Sequence, residues 1–139
     1  MPPSSLQPTD QATPPRRTRR RERHGLAPTR LWRALALIEE RLGQSLPVEE
    51  LAKAVHLSPF HFARMFRRST GMSPHAFITR RRLERAKLLL VATDQPIIEV
   101  AREVGYRTQA HFTRVFHAEE GETPRRFRRN HRQHPPGAA

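Results

Sequence analysis

The feature that most restricts what this chain can fold into is an internal repeat. Residues Pro47-Val48-Glu49-Glu50-Leu51-Ala52-Lys53-Ala54-Val55 align with Pro96-Ile97-Ile98-Glu99-Val100-Ala101-Arg102-Glu103-Val104 at a constant offset of 49. One residue is then inserted, and His61-Phe62-Ala63-Arg64-Met65-Phe66 aligns with His111-Phe112-Thr113-Arg114-Val115-Phe116 at an offset of 50. At the same offset Gly71 matches Gly121, Ser73-Pro74 matches Thr123-Pro124, and Phe77 matches Phe127. A unit present twice has to bury its apolar positions the same way twice, so one supersecondary element accounts for most of the fold. The apolar spacing is helical throughout, with no alternating strand pattern and no Asn-Gly or Asp-Gly hairpin signal, which makes the fold all-α.

The helices can be read off in order. Leu31, Leu35, Ile38 and Leu42 recur at spacings of four, three and four, predicting a helix that opens near Thr29 and stops at Gly43. A short helix over 47–55 and another over 58–68 follow, the latter bounded by Thr70-Gly71. Ser73 can cap a longer helix with Pro74 in its first turn, carrying Leu83, Ala86, Leu89 and Leu90 to about Ala92. The second short pair is predicted over 96–104 and 108–119, and a last short helix over 124–129. Each repeat is thus helix, tight turn, helix, with a small residue, Ala52 or Ala101, where the two helices approach closely. Gly105 falls where the first helix of the second repeat needs a left-handed cap; His56 holds that place in the first, less comfortably.

These residues resemble a known family. The second repeat, from Ile97-Ile98-Glu99-Val100-Ala101 through Gly105-Tyr106 and Gln109-Ala110-His111-Phe112-Thr113-Arg114-Val115-Phe116 to Gly121-Glu122-Thr123-Pro124-Arg125-Arg126-Phe127-Arg128, is similar to the signature of the AraC/XylS transcription regulators. Between the repeats, Pro74, Phe77-Ile78, Arg82-Leu83, Ala86 and Leu89-Leu90 keep the spacing of the helix that joins the two motifs in that family. The resemblance covers about residues 30 to 129. It implies two homeodomain-like helix-turn-helix subdomains joined by one long linking helix, each laying its second helix in a major groove of double-stranded DNA. A linking helix of about 18 residues is roughly 27 Å long, comparable with the ~34 Å between successive major-groove faces once flanking helices are added. One chain then suffices for two grooves, so the protein is expected to be competent as a monomer. The expected division is an arm over 1–28, a first subdomain over 29–92 including the linking helix 74–92, a second over 93–130, and a tail over 131–139.

Charge agrees with a polyanionic partner. The 26 basic residues outweigh 13 acidic ones, giving a formal +13, and only Lys53 and Lys87 are lysines. The guanidinium fork suits phosphates and guanine edges better than an ammonium does. Residues 1–28 contain six of the 13 prolines and the run Arg16-Arg17-Thr18-Arg19-Arg20-Arg21-Glu22-Arg23, with too little apolar surface to offset chain entropy. A disordered basic arm that adds sequence-independent attraction to phosphates is the expectation. A membrane partner is disfavoured, because the longest apolar run, Leu88 to Ala92, is far short of the roughly 20 residues a spanning helix needs. With no cysteine and no apolar stretch behind the N-terminal arginines, the chain is expected to stay in the cytoplasm, on the nucleoid when bound.

In the helix after Ser58, Phe62, Met65 and Phe66 share the core face, while Phe60, Ala63, Arg64 and Arg67 lie on the other. In the helix after Thr108 the outward set is Gln109, Ala110, Thr113, Arg114 and His117. Glutamine suits adenine and arginine suits guanine by bidentate hydrogen bonding, and Phe60 suits a thymine methyl. The resemblance places base reading on Phe60, Ala63 and Arg64 in the first motif and on Gln109, Ala110, Thr113 and Arg114 in the second. Arg67, Arg107, Thr108 and Arg128 are expected to touch the DNA backbone.

Catalytic chemistry finds no scaffold. His56 and His61 are five apart and His111 and His117 six, neither the i, i+4 of a helical zinc pair, so no metal or other cofactor is expected. There is no G-x-G-x-x-G, no Walker lysine and no G-x-S-x-G, and an enzymatic role is not expected. The resemblance implies a regulator, more usually an activator, that also contacts RNA polymerase and can take a separate sensor as partner. The competing reading is a basic architectural or RNA-binding protein holding any polyanion.

Overall fold

A computed structural model describes residues 25–133. Among the described residues there are seven α-helices and no strand: α1 Pro28–Glu40, α2 Val48–Ala54, α3 Pro59–Thr70, α4 Pro74–Ala92, α5 Ile97–Glu103, α6 Gln109–Glu120 and α7 Pro124–Gln133. The fold is the all-α one that the periodicity predicts. The described chain divides into two compact units, the first made of residues 25–36 and 48–74, the second of 37–47 and 75–133.

In the first unit, α2 buries Leu51 and Ala52, Val55 just after it is buried too, and α3 buries Phe62, Met65 and Phe66. The Phe62 and Phe66 rings meet at 5.5 Å. The chain enters this unit through Gly25 and Leu26, which composition alone places in the arm. Leu26 is buried and its N–H donates to Ser69 Oγ at 2.8 Å. Gly25 has φ +121°, and a Cβ there would stand 2.2 Å from the same hydroxyl, so only glycine fits. Residues 1–24, which hold the rest of the expected arm, lie outside the described residues, as do 134–139.

In the second unit one apolar cluster joins Leu83, Ala86 and Leu90 of α4 to Val100, Ala101, Val104 and Tyr106, and to Phe112, Phe116 and Phe127. The linking helix therefore packs with the second repeat, whereas the division expected from sequence groups it with the first. Aromatic rings run through this core: Tyr106 to Phe112 at 5.5 Å, Phe112 to Phe116 at 5.7 Å and Phe116 to Phe127 at 5.5 Å. The arginine run on α4 is mostly engaged. Arg82 donates from Nε to Leu42 O at 2.9 Å and from Nη2 to Gln44 O at 2.7 Å, closing the end of the segment after α1. Arg81 pairs with Glu84 and, at 2.5 Å, with Glu39. That hydrogen bond, with the charges of Arg81 and Arg85, holds the Glu39 carboxyl below its ordinary range.

The last helix is longer than predicted. It runs to Gln133, three residues into the expected tail, and Arg132 there is held by partners far away in sequence. His131 stacks on Phe127 at 3.8 Å, and Arg132 reaches Asp94 at 2.5 Å and the carbonyl of Thr93.

Candidate nucleic-acid interface

The two helix-turn-helix turns are built alike. In the first unit the N–H groups of His56 and Leu57 donate to Lys53 O (3.1 Å) and Ala52 O (2.9 Å); in the second those of Gly105 and Tyr106 donate to Arg102 O (3.1 Å) and Ala101 O (2.8 Å). This is the Schellman closure, which needs a left-handed residue just past the helix. His56 takes φ +60° and Gly105 takes φ +98° to provide it. A Cβ on Gly105 would also stand 2.9 Å from the Arg82 guanidinium carbon.

Each second helix is then capped by a hydroxyl. Ser58 Oγ accepts from His61 N–H at 3.2 Å before α3, and Thr108 Oγ1 accepts from His111 N–H at 3.1 Å before α6. Because the hydrogen bonds keep the offset of 49 through Leu57 and Tyr106, and the caps keep the offset of 50, the inserted residue is Arg107. Aligning the two repeats locates an insertion in the turn; the bonding pattern assigns it to one side chain.

With the core faces fixed, the opposite faces are set by helical phase. On α3, Phe60 is 77% exposed, Arg64, Arg67 and Arg68 are exposed, and Ala63 is half-buried. On α6, Gln109, Ala110, Arg114 and His117 are exposed and Thr113 is half-buried. Phe60 is one of three large apolar side chains left in solvent among the described residues, with Trp32 and Leu88. All the side chains expected to read bases thus lie on the outward face of α3 or of α6. Arg107 and Thr108 sit exposed immediately before α6.

Arg128 departs from expectation. Its Nε donates to Leu90 O at 2.9 Å, capping α4, and its Nη2 is buried without a hydrogen-bond partner. Burial pushes its pKa down, and the neighbouring charge of Arg132 adds to this. The side chain ties α7 to the end of α4 within the second unit. The repeat itself held the signal: at an offset of 50, Arg128 falls on Ile78, which is buried.

Tyr106 links the turn to both neighbours. Its ring packs edge-on against His111 at 5.2 Å and lies 5.7 Å below the Arg82 guanidinium. Its burial raises the phenol pKa, opposed by the charge of Arg82. Among the described residues no group of three or more His, Cys, Asp or Glu side chains is placed to hold a metal ion, and no helix is long and apolar enough to cross a membrane.

Comparison with known proteins agrees with this architecture. The helix-turn-helix domain family matches residues 51–130. The regulatory protein PocR of Salmonella typhimurium is 32% identical over 78% of this chain and 36% of its own length. The regulatory protein SoxS of Escherichia coli is 35% identical over 68% of this chain and 88% of its own. Among solved structures, the DNA-binding domain of the global transcriptional factor AdpA, in complex with a target DNA, matches with a TM-score of 0.72 at 30% identity, over 78% of this chain and 97% of that one. The chain spans about a third of the length of PocR but nearly all of SoxS. A duplicated turn, the phase of its helices and these likenesses converge: the chain belongs to the AraC/XylS family of helix-turn-helix transcription regulators.

Proposed function

We propose that this regulator binds double-stranded DNA sequence-specifically, α3 and α6 each entering a major groove, and that it activates transcription through contact with RNA polymerase. The observation that carries the reading is the repeated outward face, with Arg64 and Arg114 at equivalent places opposite the buried phenylalanines and no acidic partner for either among the described residues. In this reading Phe60, Ala63 and Arg64 address one half-site, and Gln109, Ala110, Thr113 and Arg114 the other. Arg67, Arg107 and Thr108 hold phosphates beside them. The first unit has a single strong hydrogen-bonding group among its base readers, so its half-site is the less sharply defined. The chain is competent to bind DNA as a monomer, and a separate sensor partner is compatible with this reading. The likeness to AdpA, solved on a target DNA, supports groove entry, and family resemblance supports activation.

Selection of bound sites from a random duplex pool tests the proposal. Enrichment of a bipartite site with half-sites about 10 bp apart is the expected result. Recovery of unrelated sequences with equal affinity would replace it with an architectural, sequence-indifferent role.

A further inference from the structure

The duplicated unit supplies its own control for reading surface charge. At the offset of 50, Arg67 and Arg68 on α3 fall on His117 and Ala118 of α6, so only the first of the two helices ends in exposed arginines. One helix later the balance reverses. Arg125, Arg126 and Arg129 on α7 fall on His75, Ala76 and Thr79 of α4.

Those three α7 arginines are exposed, and among the described residues their guanidinium groups have no acidic or hydrogen-bonding partner. Arg128 and Arg132 on the same helix are committed to Leu90 and to Asp94. The helix therefore sorts its arginines into two that tie it down and three that face water unpaired. This arrangement opposes folding. Arg125 and Arg129 are four apart on one face, where like charges repel, and Arg125 and Arg126 lie in the first turn, where the helix dipole disfavours cations. No Asp or Glu occurs anywhere in α7 to offset either effect. An unfavourable cluster of this kind is relieved by an external anion, and the planar guanidinium fork matches phosphate oxygens two at a time.

We propose that Arg125, Arg126 and Arg129 are the phosphate anchor of the second unit, gripping the backbone of the same duplex that α6 reads. In the first unit that task falls to Arg67 and Arg68 at the end of α3, so the two repeats use different helices to hold the DNA backbone. The inference rests on α6 entering a groove, as proposed above.

The test uses the full chain with Arg125→Gln, Arg126→Gln and Arg129→Gln combined, and the matching triple Arg→Lys variant. Binding to a mixed-sequence duplex of about 30 bp, long enough for two half-sites, is followed by fluorescence anisotropy across a salt series. Every phosphate that is no longer neutralised lowers the slope of log affinity against log salt by about 0.9. The glutamine variant is expected to flatten the slope by about 2 to 3 on that ground, and the lysine variant to keep it, since counterion release needs only the charge. All three side chains point into solvent, so the lysine variant should melt with the wild type, and the glutamine variant, relieved of the charge repulsion, at the same temperature or slightly above it. A slope unchanged by the glutamine variant overturns the proposal. So does a lysine variant as flat as the glutamine one. Failure of the two-groove reading shows elsewhere, as absence of an enriched site for the wild-type chain in the random pool, and the salt comparison on mixed sequence stays readable in that case.

Discussion

The two repeats close the same turn with different residues, and the difference shows where the chain trades backbone comfort for a side chain. The second places Gly105 at the left-handed position, with φ +98° and the Arg82 guanidinium packed where a Cβ would be. The first places His56 there at φ +60°, exposed to solvent. A left-handed conformation costs a non-glycine residue about 1–2 kcal/mol, and the identical Schellman hydrogen bonds in both units show that it is tolerated without loss of geometry. The second turn also carries an extra residue, Arg107, ahead of its cap. Bonding pattern is thus the common element of the duplication, and the side chains around it have diverged.

Paired substitutions at equivalent positions test how far the two units behave alike. The largest effect is expected in the cores, where Phe66 and Phe116 occupy matching, fully buried positions. Phe66→Ala and Phe116→Ala should each cost about 3–5 kcal/mol through the cavity left behind. Hydrogen exchange should show each loss confined to its own unit. Near-wild-type denaturant midpoints for both would mean that these rings do not carry the cores.

Smaller effects are expected on DNA. Arg64→Ala and Arg114→Ala should each lose about 1–3 kcal/mol on the selected site and relax preference at different base positions. The two losses should add, as expected for sites that share no partner. Uniform weakening on every sequence would make both arginines backbone contacts. Removing Arg64 should erase more of its half-site's preference than removing Arg114, because Gln109 and Thr113 remain beside the latter.

The effects at the turns should differ in sign, and the smallest of all belongs to His56. His56→Gly relieves the left-handed penalty but adds unfolded-state entropy, for a net gain of up to about 1 kcal/mol. Gly105→Ala meets both the positive φ and the Arg82 guanidinium, and should cost about 1–3 kcal/mol. Thermal melts of the two variants decide it. Destabilisation by His56→Gly would show that the imidazole makes a compensating contribution.

What the sequence made legible was everything that repeats or caps. Helix order, the starts of the second helices at Ser58 and Thr108, the buried phenylalanine faces and the contrast between His56 and Gly105 all follow from local pattern, and the observed helices begin and end close to where periodicity puts them. The departures share one cause, which is partners distant in sequence. Leu26 reads as the end of a polar arm because its partner Ser69 is 43 residues away. His131 and Arg132 read as tail because the groups holding Arg132 lie 38 and 39 residues back. Arg128 reads as a surface cation because composition does not reveal that its Nε caps Leu90. Even there, laying the second repeat over the first puts it on a buried isoleucine. The grouping of α4 escapes local reading as well, since both repeats flank it in sequence and only packing decides which one it joins.

The link from Leu26 to Ser69 has a mechanical side. Among the described residues, the first hydrogen bond after Gly25, where the leading segment joins them, is made to the last turn of α3, ahead of any contact within α1. A pull along the leading segment is therefore delivered to the far end of the helix proposed to enter the first groove, as a cord tied to a lever's tip would deliver it. The knot is one hydroxyl, seated against a glycine that admits no side chain.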